Sequence, residues 1–201
     1  MTSQLLASNN MASIHAMEML ASCADSLRFS LRGFRVLVRS RRPEPLRWLR
    51  SFMSPYFSTS ERGNADWQIG YYCEEMAYQQ LAETLSAYRH EDISSRLPNG
   101  QPLSHQEYFL PGMRALYNDE FKAFCCAWPE ERRMLLVAPQ DGENVRFYLS
   151  RAVRKLTTLH HNQQGAVVFH AAAFEKDGRA TLAIADRKSP RLNSSHRIRS
   201  R

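Results

Sequence analysis

The chain has 201 residues, is 43% hydrophobic and 23% charged, and carries a formal net charge of +7. This composition is that of a soluble globular protein, and no apolar run approaches the roughly 20 residues that a membrane-spanning helix needs. The charge is unevenly placed: residues 186–201 hold six basic residues against Asp186 alone, and the remainder has 21 basic and 19 acidic side chains. The basicity therefore belongs to the tail, and neither a nucleic-acid nor a membrane partner is expected.

Residues 1–26 lack a basic segment followed by a continuous apolar core, so they do not read as a signal peptide. They read as a leader or a short amphipathic helix, with Met11 offering a second start. Four cysteines, Cys23, Cys73, Cys125 and Cys126, include no C-x-x-C pair. Adjacent cysteines in a strand face opposite sides, so buried free thiols and a cytoplasmic location are expected.

Residues 27–39, LRFSLRGFRVLVR, alternate apolar and polar about Gly33 and predict two short strands with a bend at the glycine. Pro43 and Pro45 then open a helix carrying Leu46, Leu49 and Phe52 at helical spacing, with Trp48 nearby. Residues 54–66 read as a loop and Trp67–Cys73 as a strand. Residues 74–92 hold strong helix formers, with Ala77, Tyr78, Leu81, Leu85 and Tyr88 on one side. The segment SSRLPNGQPLSHQ reads as a turn region around Pro98, Asn99 and Gly100. Phe121–Trp128 and Arg133–Ala138 read as strands. A helix from about Asn144 to His161 gathers Val145, Tyr148, Leu149, Ala152, Val153, Leu156 and Leu159 on one side and ends at Gly165. Its last turns hold Lys155, His160 and His161, where the helix dipole favours cations. A strand from Ala166 to about Phe174, a tight turn through Asp177 and Gly178, and a strand from Ala180 to Ala185 complete the ordered pattern.

The block GAVVFHAAAFEKDGRATLAIA resembles the segment that precedes the phosphate-binding loop in HPr kinase-like proteins, whose kinase core is shared with phosphoenolpyruvate carboxykinase. In that group an apolar strand ends in His-Ala, an Asp-Gly turn follows, and a second apolar strand leads into G-x-x-x-x-G-K-[ST]. The matching residues are His170, Ala171, Asp177, Gly178 and the strand Thr181 to Ala185. The clear resemblance spans Asn144 to Ala185; from Leu27 to Glu143 only the order of elements agrees. The resemblance implies an ATP- and magnesium-dependent transfer of phosphoryl to a serine of a peptide or small protein in the full-length relative.

A phosphate loop needs glycines so that its backbone N–H groups can approach the phosphates. No glycine occurs between Asp186 and Arg201. Lys188-Ser189 shares only two letters with the motif, and Pro190 disfavours helix at Ser189, where the phosphate-binding helix should begin. The run DRKSPRLNSSH resembles the translation of a short-read sequencing adapter, from which it departs only at Pro190, where the adapter frame encodes threonine. Residues 186–201 are therefore expected to be non-native.

The expected fold is α+β: a mixed region over 27–143, then over 144–185 the start of a P-loop-type kinase core cut off before its P-loop. As given, the chain is expected to have no catalytic residue, no metal ligand and no cofactor. His170, Ala171, Asp177, Gly178 and Ala185 form only the approach to the missing loop. The three histidines His160, His161 and His170 show no ligand spacing. Glu74-Glu75 and Glu130-Glu131 read as surface pairs. The alternative is a small non-catalytic recognition module using the arginine–aromatic helix RSRRPEPLRWLR.

Overall fold

The computed structural model describes residues 13–54, 56–60, 63–96, 102–167, 171–177 and 179–184. The chain divides into two compact units, residues 1–157 and 158–201.

The first unit is built on a nine-stranded mixed sheet. Helix α1 covers residues 13–22. Strands β1 (Asp25–Leu31) and β2 (Phe34–Ser40) form the expected hairpin. Its two-residue turn places both Arg32 (φ 48°) and Gly33 (φ 86°) in the left-handed region, the geometry that matches the twist of paired strands. Helix α2 (Pro43–Met53), the short β3 (Ser58–Ser60), β4 (Trp67–Cys73) and helix α3 (Glu75–Ser86) follow. Then come five strands in sequence, β5 (His90–Arg96), β6 (Pro102–Leu110), β7 (Met113–Asn118), β8 (Ala123–Trp128) and β9 (Arg133–Ala138). Helix α4 (Glu143–Gln163) closes the unit and continues into the second.

The spatial order is β3-β1-β2-β4-β9-β8-β7-β6-β5. Strands β2, β4 and β9 are mutually parallel at its centre, and every other pairing is antiparallel. From β2 the chain crosses through α2 to β3 at one edge. From β4 it crosses through α3 to β5 at the other. The two crossovers run in opposite directions on opposite faces, so they have the same hand, as the chirality of parallel crossovers requires. The strand order therefore reverses between β2 and β4.

The pleat sorts side chains onto two cores. One holds Val36, Val38, Ile69, Tyr71, Leu136 and Ala138 of the central strands under Leu46, Leu49 and Met53 of α2 and Val145, Leu149, Val153 and Leu156 of α4. The opposite face holds Tyr72, Leu135, Val137, Phe124, Cys126 and Trp128 under Met19 and Leu20 of α1 and Ala77, Leu81 and Leu85 of α3. Gly70 sits where α1 comes down on β4: a Cβ there would lie 2.5 Å from Leu20 Cδ1 and 2.7 Å from Leu135 Cδ1. Both neighbours are the ends of flexible side chains, so they can yield at a cost. Gly70→Ala is expected to lower unfolding stability by about 1 kcal/mol, read as a lower urea midpoint with an unchanged slope. An unchanged midpoint would show that α1 does not bear on β4.

Several readings of the sequence need correction. Residues 58–60 are not loop but strand, hydrogen-bonded to β1. The helix read to residue 92 stops at Ser86, and His90 opens β5. Residues 94–96 and 102–106, read as turn, belong to β5 and β6; Pro98, Asn99 and Gly100 lie outside the described residues. In α2 the buried stripe ends on Met53, four residues after Leu49, and Phe52 is exposed. In α4 Leu159 is exposed. Of the four free thiols only Cys23 and Cys126 are buried; Cys73 and Cys125 are partly exposed.

The described part of the second unit contains the end of α4, Gly165 in the left-handed region (φ 83°), and the antiparallel hairpin β10 (Ala171–Lys176) and β11 (Arg179–Ile184). Ala166 and Val167, read as the beginning of the strand, are not in it.

Candidate functional site

The expected α+β architecture is present as helices packed on a large mixed sheet. The approach to the phosphate loop is described only in part. His170, Gly178 and Ala185 lie outside the described residues. Ala171 opens β10 opposite Ile184, and Asp177 sits in the turn at the far end with φ 53°. The beginning of β10 and the end of β11 thus share one end of the hairpin. His160 and His161 stand edge to face at the end of α4, with ring centroids 5.2 Å apart.

A different set of residues forms the main concavity of the first unit. A cleft of about 500 Å³ lies beyond the carboxyl ends of β2, β4 and β9, lined by Ser40, Arg41, Arg42, Tyr71, Glu74 and Asp141, among others. Its place follows from the topology. Each of the three parallel strands ends here in a charged connection, and α2, α3 and α4 begin from those connections. The crossovers leave β2 and β4 in opposite directions, so no connection covers the gap between them.

Two clusters of hydrogen bonds shape the walls. On one, Arg41 Nη1 donates to Glu74 Oε2 at 2.6 Å and to the Tyr72 hydroxyl at 2.9 Å, and that hydroxyl donates to Glu74 Oε2 at 2.9 Å. The Arg41 and Glu74 side chains remain about half exposed, so this rim pair contributes only about 0.5 kcal/mol. On the other, the Tyr71 hydroxyl donates to Asp141 Oδ1 at 2.7 Å. Arg146 grips the same carboxylate in a two-pronged contact, Nε to Oδ1 at 2.9 Å and a terminal nitrogen to Oδ2.

Burial alone would raise the Asp141 carboxyl, but hydrogen bonds from Arg146 and Tyr71 outweigh it and hold the group below its ordinary range. Burial, reinforced by the neighbouring Cys73 and Asp141, raises Tyr71. Cys73 is pushed up to about 12, chiefly by burial. At neutral pH Asp141 is a carboxylate, while Tyr71 and Cys73 keep their protons. A thiol so strongly protonated is a poor nucleophile, so the cleft is arranged for recognition rather than for covalent chemistry at Cys73.

The prolines at 43 and 45 remove two backbone donors from the first turn of α2. Glu44, Glu75 and Glu143 stand in the first turns of α2, α3 and α4, where they already complement the helix dipoles. One charge is left over. The Arg42 guanidinium forms no ion pair among the described residues, and only its backbone N–H is engaged, by Ser40 Oγ at 3.3 Å.

No family model matches the chain, no curated protein matches its sequence, and no solved structure matches its fold.

The cleft residues Arg41, Arg42, Tyr71, Glu74 and Asp141 were legible only in retrospect. SRRP, CEE and PQDG each place charge directly after an apolar strand and before a helix. Sequence alone does not say that these three strands are parallel neighbours. Arg41 and Arg42 read as part of a solvated helix, and Glu74 as half of a surface pair.

Proposed function

We propose that the chain up to Ala185 is the part of an HPr kinase-like, ATP-dependent serine phosphotransferase that precedes the phosphate loop, and that the chain as given is inactive. The observation that supports this reading is the β10–β11 hairpin. Its Asp177 turn separates two short strands in the order that the resemblance implies, with β11 placed to lead into a following loop. The acceptor in the full-length relative would be a serine of a peptide or small protein, and the reading places the protein in the cytoplasm. No helix in the described residues is long and apolar enough to cross a membrane.

The residues present do not fit ATP with magnesium. No glycine follows Ala185, and the cleft of the first unit sets two carboxylates and a proline-capped helix where a triphosphate would need backbone donors. Purified chain incubated with magnesium and ATP is therefore expected to release no phosphate above a protein-free control. Magnesium-dependent hydrolysis would overturn the proposal. So would an independent read of the source locus that continues past Ala185 without a glycine-rich loop.

A second reading is a non-catalytic recognition module, favoured by an aromatic cluster on α2 and α4. Trp48 stacks on Phe52 at 5.0 Å, and both rings meet Phe147 edge-on at 5.2 and 5.3 Å. Arg47, Arg50 and Arg151 on the same helices are exposed. The locus read separates the two: a natural end without the loop favours the module.

A further inference from the structure

The cleft between the ends of β2 and β4 belongs to neither reading, and its chemistry identifies a ligand class. Its volume, about 500 Å³, falls within the roughly 300–1,000 Å³ typical of small-molecule sites. It lies at the reversal of strand order, where open α/β sheets hold their ligands.

The charges on its walls can be followed one by one. Arg41 is neutralised by Glu74 and Asp141 by Arg146. Arg42 is the uncompensated charge, exposed at the mouth. The ligand must therefore present an anion to Arg42. Glu74 and Asp141 limit how much negative charge it can carry, because a dianion would face two fixed carboxylates on the opposite walls. Hydrogen-bonding capacity sets the rest. Glu74 accepts both of its bonds at Oε2, so Oε1 is open to a donor, and Gln140 adds an amide to the lining. Arg42 thus selects a single negative charge, and Glu74 selects a hydroxyl or amine beside it.

We propose that this cleft binds a small monocarboxylate carrying a hydroxyl or amino group, with the carboxylate on Arg42 and the neighbouring donor on Glu74. Polyanions such as nucleic acids are excluded by the same two acidic walls. Site and ligand are independent of the kinase-like reading and hold whether or not a phosphate loop follows Ala185.

The test is calorimetric titration of the full chain with three probes: glycerate, serine and glycerol 3-phosphate. Glycerate or serine should bind with a dissociation constant of about 1 mM or tighter, and glycerol 3-phosphate more weakly than both. Arg42→Ala should weaken the carboxylate probe about tenfold or more, with Arg42→Lys recovering part of the loss. Arg42 is exposed, so neither variant should alter the thermal midpoint. Glu74→Gln removes one acidic wall and should narrow the gap between glycerate and glycerol 3-phosphate. The proposal fails if no carboxylate probe binds, if Arg42→Ala binds as the parent does, or if the phosphate ester is the tightest ligand.

Discussion

Leu149→Ala is expected to destabilise the first unit by about 3 kcal/mol, within the roughly 2–5 kcal/mol range for truncating a buried leucine. Leu149 is fully buried between α4 and the sheet. It belongs to a stripe formed by Val145, Leu149, Val153 and Leu156, whose spacing keeps the residues on one face of the helix. The partners on the other side come from strands and from α2, so several elements would have to move together to refill the space. The control is on the same helix. Leu159 extends the stripe in sequence but is 43% exposed, and Leu159→Ala should cost less than about 0.5 kcal/mol. Urea unfolding followed by tryptophan fluorescence reads both, because Trp48 packs against Phe147 of α4. Equal losses from the two variants would mean that the stripe does not end where the structure ends it.

That contrast also marks how far the sequence could be read. Elements with a strong period of their own were legible: the β1–β2 hairpin, β4, β8, β9, and the helices α2, α3 and α4. Each is recognisable from its alternation, its helical spacing or its proline and glycine punctuation. Leu159 shows the limit, since periodicity gives a face but not the point at which the surface beneath it stops. Strands β5 and β6 were hidden for another reason. HEDISSR is polar at nearly every position and Ile93 is exposed, as suits a strand at the edge of a sheet with little to bury. The three-residue β3 is too short to show any period, and it exists only because β1 offers it a partner. The cleft was the least legible feature. Its residues come from three connections separated by up to a hundred positions, and only the parallel pairing of β2, β4 and β9 brings them to one place.

Asp141→Asn tests whether those connections are held by charge. Asparagine has nearly the shape of aspartate, but it carries no charge and replaces one accepting oxygen with a donating nitrogen. Arg146 would lose its counter-ion, and one of the Tyr71 and Arg146 donors would face another donor. Breaking a fully buried pair costs about 3–5 kcal/mol. Here the two side chains keep 24% and 22% of their exposure, so solvent offsets part of that and a loss of about 2 kcal/mol is expected at neutral pH.

The pH dependence gives the charge its own signature. Asp141 titrates lower in the folded chain than in the unfolded one, because Arg146 and Tyr71 outweigh the effect of burial. Its contribution is therefore complete above the unfolded carboxylate range, near pH 4, and is lost as pH falls through the folded value. Tyr71 and Cys73 are shifted upward and stay protonated throughout that range. Carboxylates elsewhere titrate alike in parent and variant and cancel in the difference. The stability gap between parent and Asp141→Asn, measured by urea unfolding, should be constant from about pH 7 to 5 and close progressively between about pH 4 and 2. A gap that persists unchanged at the acidic end would mean that the shape of the hydrogen-bonded site, and not the Asp141 charge, holds the start of α4 against the end of β4.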